Sequence, residues 1–388
     1  MGSENVERNH EKQMEKSKNI FILFMLMMTC VVGMEAEDGS SLWLRNSLQA
    51  DMPAAMVTLT VDIQTKATQS DSATLRLAAK ELMENWSGAP VTLRYTVDNS
   101  LGKDCFSIEK VETTDTESDF QFVVSASSPS GILYGVYFLL RAQSRHDVCL
   151  CTTLPPSHKI QQKPYFMSRS IAGQEAIFDI LKKGRIADYA RANASIGING
   201  IILTPPRHPS KHYQEKVSEL AAILQPYCIS IYQSGDTIPA LRCTPVTTDK
   251  RQTGIDETYI YHATVWRSMM LNSSQRNVVA HVAVSSQPSW CPNDNHLEQA
   301  NWFAFGRLAW DPTLLPEQVA HEWLADTFSE NPLFILPMRR AMTDCDGTGI
   351  SKIETLLNTW REAADAVDEQ RHTEVENALN AMLEQLDS

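Results

Sequence analysis

Two helix–strand repeats in the middle of the chain constrain its fold more than any other feature. Arg185 to Ser195 has helical spacing and stops at Gly197, a residue suited to the left-handed cap that ends many helices. Ile198 to Thr204 follows as an apolar run of buried-strand length. Tyr213, Val217, Leu220, Ala221 and Leu224 then share one helical face, Pro226 ends that helix, and Ile229 to Gln233 reads as a second strand. Helix and strand in alternation imply parallel strands buried between layers of helices.

The flanking regions read differently. Val57 to Val61 alternates like a strand, and Ser72 to Trp86 places Leu75, Ala78, Ala79, Leu82, Met83 and Trp86 at helical spacing. Phe120 to Ser125 is again strand-like, and Gly131 to Gln143 is a helix with an apolar inner face. This predicts an N-terminal α/β domain over residues 37–145. Ser144 to Pro164, polar and proline-containing, reads as a linker. Residues 165–328 form the βα region, and 329–388 a helical C-terminal region in which Val375, Leu379, Met382 and Leu386 make an amphipathic face.

At the N-terminus, Lys16 and Lys18 precede an apolar run from Ile20 to Val32, followed by small and acidic residues through Ala36. Basic, apolar, small is the order of a secretory signal peptide, so residues 1–36 are expected to be removed on export to the periplasm or the exterior. The run is short of the roughly 20 residues that a bilayer-spanning helix needs, so no stable membrane anchor is expected. A net charge of −13 without a basic cluster excludes a nucleic-acid binder. The eight cysteines are scattered, and seven remain once Cys30 leaves with the signal, which describes no disulfide framework. Cys149 and Cys151 have no second pair at metal-ligand spacing, so no metal is expected.

Two long segments resemble a known family. Asp188-Tyr189-Ala190-Arg191-Ala192-Asn193-Ala194-Ser195-Ile196-Gly197-Ile198-Asn199-Gly200 is similar to the segment by which xylan α-glucuronidases of glycoside hydrolase family 67 enter their catalytic barrel. Gln299-Ala300-Asn301-Trp302-Phe303-Ala304-Phe305-Gly306-Arg307-Leu308-Ala309-Trp310-Asp311-Pro312, with Glu322-Trp323 after it, resembles the segment by which they leave it. The opening Glu37 to Arg45, the helix at Gly131, the strand-like Asn277 to Ser285 and the segment around Trp360 resemble the family in the same order. The resemblance implies an N-terminal α/β domain, a (β/α)8 TIM-type barrel and C-terminal helices, with no cofactor. It implies removal of (4-O-methyl)glucuronic acid from α-1,2 branches of xylan oligosaccharides by inversion, and it leaves a homodimer open.

Inversion needs an acid and a base roughly 6.5–9.5 Å apart. The family's acid segment, Asn-Ser-Glu-Gly-Gln-Pro-Gly, has no counterpart here, and Thr247 to Gln252 stands where its base carboxylates are expected. Length agrees, since a (β/α)8 barrel takes at least about 200 residues and Tyr165 to Phe328 supplies fewer. At roughly 30 residues per βα unit, about five units fit. The expected fold is therefore α/β with an incomplete barrel, and the catalytic residues stay unassigned. A carbohydrate-binding remnant without turnover is the alternative.

Asp236, Asp249, Asp256 and Glu257 are the substitute carboxylates, although Asp256 and Glu257 are adjacent and would face opposite sides of a strand. Solvated loop residues are the simpler reading of each. Asp294, His296 and Glu298 precede the Asn301-Trp302 segment and would line a sugar pocket or lie solvated in a loop. Trp290 and Trp302 are open between sugar stacking and core, whereas Trp310 and Trp323 read as core anchors.

Overall fold

The computed structural model describes residues 42–44, 57–61, 68–96, 101–112, 120–144, 159–233, 239–243, 261–282, 284–287, 290–291, 298–328, 331–343, 358–359 and 361–362. The signal-like segment and the amphipathic face from Val375 to Leu386 lie outside the described residues.

The N-terminal layer follows from its apolar spacing. Strand β1 (Val57–Val61) leads to helix α1 (Gln69–Asn85), whose entry is fixed by a capping box between Thr68 and Asp71. Strands β2 (Val91–Tyr95), β3 (Phe106–Glu112) and β4 (Phe120–Ala126), helix α2 (Pro129–Ser144) and strand β5 (Lys159–Gln162) complete it. The sheet order is β1-β2-β4-β3-β5, parallel through β1, β2 and β4, with β3 antiparallel to both neighbours. Leu75, Leu82 and Trp86 of α1 and Ile132, Leu133, Val136 and Leu139 of α2 are buried with Leu93, Phe106, Phe122 and Val124 of the sheet. The helix α2 lies so close to the sheet that a Cβ on Gly135 would come within 2.5 Å of Val124 Cγ1. Residues 159–162, which read as linker, are an edge strand: β3 has one free side, and Lys159 to Gln162 pair with Glu109 to Phe106.

The second layer is the expected parallel sheet. Its strands are β6 (Ser168–Ala172), β7 (Gly200–Leu203), β8 (Ser230–Gln233), β9 (Leu241–Cys243) and β10 (Asn277–His281). Helices α3 (Ile177–Lys182) and α4 (Ile186–Ser195) lie between β6 and β7 in the chain, and α5 (Lys211–Leu224) between β7 and β8. Helix α6 (Ala263–Leu271) precedes β10, and α7 (Glu298–Trp310), α8 (Pro316–Thr327) and α9 (Pro332–Thr343) follow it. The order is β8-β7-β6-β10-β9, every pairing parallel. The first strand, β6, thus lies beside the last, β10, as the two ends of a closed barrel do. Among the described residues the sheet stops at β8 on one side and β9 on the other. Only Ser234 to Ala240 separates these edge strands in sequence, fewer than the dozen residues that a parallel crossover needs. Among the described residues the sheet is therefore an open arc of five parallel strands, consistent with part of a barrel.

The layers are joined by buried charge. Arg169 of β6 is fully buried, and its Nη2 lies 3.1 Å from Oδ2 of Asp104, which precedes β3. The remaining guanidinium donors reach the carbonyls of Phe166, Met167 and Gly197, and its face lies 5.1 Å from the Trp310 ring. Asp104 also accepts from Ser130 Oγ and Asn199 Nδ2. Glu81 of α1 and Arg191 of α4 form a second bridge, in which the single Arg191 Nε donor is shared between both carboxylate oxygens at 2.9 Å. Leu42 and Trp43, expected with the N-terminal domain, join the second core instead, where Trp43 packs edge-on to Trp302 and donates to Ser195 Oγ.

Because Arg169 and Asp104 are both sealed from water, Arg169→Met or Asp104→Ala alone leaves a bare buried charge and is expected to cost about 3–5 kcal/mol in urea unfolding. The double variant should lose clearly less than the sum of the two. Additive losses would show that the pair is not coupled.

Candidate functional site

Five parallel strands put all their C-terminal ends on one rim, and the helices that run back from them begin there. In barrels this rim carries the chemistry. Here it contains the residues after β6 and β10, His262 at the start of α6 and Glu298 at the start of α7.

The β6–β10 part of the rim is tightly bonded. Gln174 donates from Nε2 to the carbonyls of Ala172 (3.1 Å) and Val282 (2.8 Å) and accepts from the Tyr189 hydroxyl at 2.6 Å. Gly173, at φ +84°, lies against the His281 ring, where a Cβ would come within 2.5 Å of Cε1. Its backbone conformation and the close ring both call for glycine. Lys183 and Arg185 donate to the carbonyls of Ser286 and Gln287, which holds the segment after β10 over the rim. The Arg185 guanidinium lies 3.8 Å from the Trp290 ring centroid.

Asn301 links the two helix starts. Its Oδ1 accepts from the His262 backbone N–H at 2.9 Å, and its Nδ2 donates to Glu298 Oε2 at 3.2 Å. Burial pushes the Glu298 carboxyl above the usual carboxylate range, while the Asn301 hydrogen bond acts the other way. Burial pushes His262 down to about 4, so its ring is neutral at pH 7. The ring lies against Trp266, and Nδ1 has no hydrogen-bond partner among the described residues. A carboxyl raised by burial keeps its proton to higher pH and suits a general acid.

Two proposed sugar contacts are corrected. Trp302 is 1% exposed, its Nε1 donates to Asn193 Oδ1 at 3.0 Å, and Trp43 and Tyr189 cover it. Trp290 is fully buried beneath Arg185 and beside Tyr189. Helix α7 is buried along nearly its whole length, so an indole on it meets protein rather than solvent. Trp310 and Trp323 are core residues. Asp236, Asp249, Asp256, Glu257, Asp294 and His296 lie outside the described residues. Sequence reasoning overlooked His262, because no periodic spacing connects it to Glu298; their common neighbour Asn301 does. Among the described residues no group of three or more His, Cys, Asp or Glu is placed to hold a metal ion, and no helix is long and apolar enough to cross a membrane.

Residues 165–250 match the model of the glycosyl hydrolase family 67 middle domain, and residues 293–347 match that of the glycosyl hydrolase family 67 C-terminus. Both long resembling segments fall inside these stretches, so these parts of the chain are similar to family 67 glycosyl hydrolases. Similar solved structures include a family GH115 4-O-methyl-α-glucuronidase with specificity for decorated arabinogalactans, at 10% identity over 85% of this chain and 72% of that one, TM-score 0.48. Another is a GH138 enzyme targeting pectin rhamnogalacturonan II, at 9% identity over 85% and 68%, TM-score 0.43. No curated protein matches the sequence.

The pH response of His262 is checkable. Between pH 4 and 6.5 the unfolded chain holds a proton that the folded ring lacks, so stability falls as pH drops through that window. The His262 contribution is about 3 kcal/mol at most. Glu298 acts oppositely, binding its proton more tightly when folded, but it is common to wild type and His262→Phe. Thermal melts at several pH values should therefore show a flatter acid limb for His262→Phe, and identical limbs would contradict the assignment.

Proposed function

We propose that this chain, built in part from the middle and C-terminal segments of glycosyl hydrolase family 67, removes α-1,2-linked (4-O-methyl)glucuronic acid from xylan oligosaccharides by inversion. The observation that carries this reading is the meeting of the two matched stretches in one core. Trp302 of the second donates to Asn193 of the first, and the Tyr165 N–H donates to the Trp310 carbonyl at 2.8 Å. Residues 251–292 separate the stretches in sequence, yet both supply the same strand-end rim.

Glu298 is the proposed proton donor to the leaving oxygen: burial raises its carboxyl pKa, and Asn301 fixes one of its oxygens. The base that activates water would come from Asp236, Asp249, Asp256 or Glu257, which follow β8 and β9 in sequence. A separation of roughly 6.5–9.5 Å between acid and base leaves room for that water. The basic, apolar, small order of residues 1–36 supports export, where xylan fragments are met. A second reading, sugar recognition without turnover, is favoured by the parallel sheet, which has five strands among the described residues.

The test is incubation of the full chain with a short xylooligosaccharide bearing 4-O-methylglucuronic acid. Release of the free acid, first as its β-anomer by NMR, is the expected result. Glu298→Gln should lower kcat by about 100-fold or more, as loss of a general acid does. Cooperatively melting protein that releases nothing would leave recognition without turnover as the function.

A further inference from the structure

On the opposite rim, where the strands begin, a groove of about 900 Å³ runs between the N-terminal layer and the parallel sheet. It brings three cations together with groups that suit a sugar. Lys103 comes from the loop before β3, Lys163 follows β5, and Arg276 precedes β10. All three are exposed, and none has an acidic partner within 4 Å among the described residues. Of the two carboxylates lining the groove, Asp104 is neutralised by Arg169, and Asp311 accepts from the Thr313 N–H and hydroxyl. Three unpaired cations therefore face one uncompensated carboxylate, in a chain whose net charge is −13. Solvated lysines scattered over a surface would carry no such meaning; these converge from three separate segments.

The other lining groups suit a sugar. The Tyr165 side chain is 48% exposed, and Gln161 adds an amide. An exposed tyrosine ring offers a face for a pyranose, amides match hydroxyls, and cations match carboxylates. The floor is fixed, because the Tyr165 N–H donates to the Trp310 carbonyl and the Met167 N–H to the Arg276 carbonyl. Little ordering cost would fall on binding.

We infer that this groove is a second, non-catalytic binding site for an acidic oligosaccharide, its uronate carboxylates held by Lys103, Lys163 and Arg276 and a sugar ring stacked on Tyr165. The choice of glucuronic acid as the uronate rests on the proposed function; the charge pattern does not. The groove lies on the face opposite Glu298, so a polymer anchored there leaves the strand-end rim open to the same or another chain.

The experiment is isothermal titration of the full chain with two probes, a glucuronic-acid-branched xylotriose and unbranched xylotriose. It is repeated with Lys103→Ala/Lys163→Ala/Arg276→Ala and with Tyr165→Ala, each checked for an unchanged melting temperature. Exposed charge pairs each contribute a factor of about two to five, so the acidic probe should bind about tenfold more tightly than the neutral one. That preference should fade as salt rises from about 0.02 to 0.3 M, where screening shortens the reach of exposed charges. The triple variant should lose the preference and keep its residual affinity for the neutral probe, whereas Tyr165→Ala should weaken both. An unchanged preference in the triple variant overturns the site, as does equal or absent binding of the two probes by wild type. Release of glucuronic acid is read separately, and Glu298→Gln should abolish release without touching this preference, so failure of the groove is distinguishable from failure of the hydrolase reading.

Discussion

Arg169 is the residue on which the arrangement of the two layers depends. A guanidinium cannot be stripped of water unless nearly every donor finds an acceptor and its charge finds a partner. Here the acceptors come from Asp104 and from the carbonyls of Phe166, Met167 and Gly197, so one side chain fixes the loop before β3, the entry to β6 and the turn after α4 together. Asn199 completes the cluster by accepting from the Arg169 N–H and donating to Asp104 and to the Met167 carbonyl. Trp310 and Tyr134 lie against the guanidinium, which ties α7 and α2 to the same point.

The same residue explains what could not be read along the chain. Ser168-Arg169-Ser170 looks like a polar loop, so β6 carries no apolar signal, although it is the central strand of the parallel sheet. Its polarity is buried because the compensating carboxylate is 65 positions away, a separation to which local periodicity is blind. Strands β7 and β8 and helices α4 and α5 were legible because each buries an apolar face against its sequence neighbours. Strand β5 was not, because an edge strand of Lys-Ile-Gln-Gln is held by backbone pairing rather than by its side chains. At the rim, Glu298 could be noticed beside Asn301, but its burial could not. The two tryptophans had the opposite fault: aromatic residues near a sugar-active segment suggest platforms, and only packing shows both to be sealed.

An open arc of five parallel strands, as the described residues form it, ought to expose core and leave two edges ready to pair with other chains. The sheet limits the second problem in familiar ways. Its outer strands are short, β8 with four residues and β9 with three, and they carry Ser230, Gln233 and Arg242 at exposed positions. The first problem is limited by where the buried mass lies. The large side chains Trp266, Trp302, Trp323, Tyr189 and Phe305 belong to the helices around β6 and β10, not to the outer strands. The large buried side chains are thus concentrated around the adjacent strands β6 and β10, away from both edges of the sheet.

That distribution bears on what chemistry the chain can keep. Inverting hydrolysis draws an acid and a base from different strand ends, so it is sensitive to the loss of any one unit, whereas binding needs only a surface whose parts stay in register. The rim at β6 and β10 is held by Gln174, Tyr189 and Asn301, and it carries Glu298, whose carboxyl burial raises. Under the proposed function the base would come from residues that follow β8 or β9 in sequence. Turnover by the proposed mechanism would then depend on where that base sits relative to Glu298, while recognition by the β6–β10 junction would not.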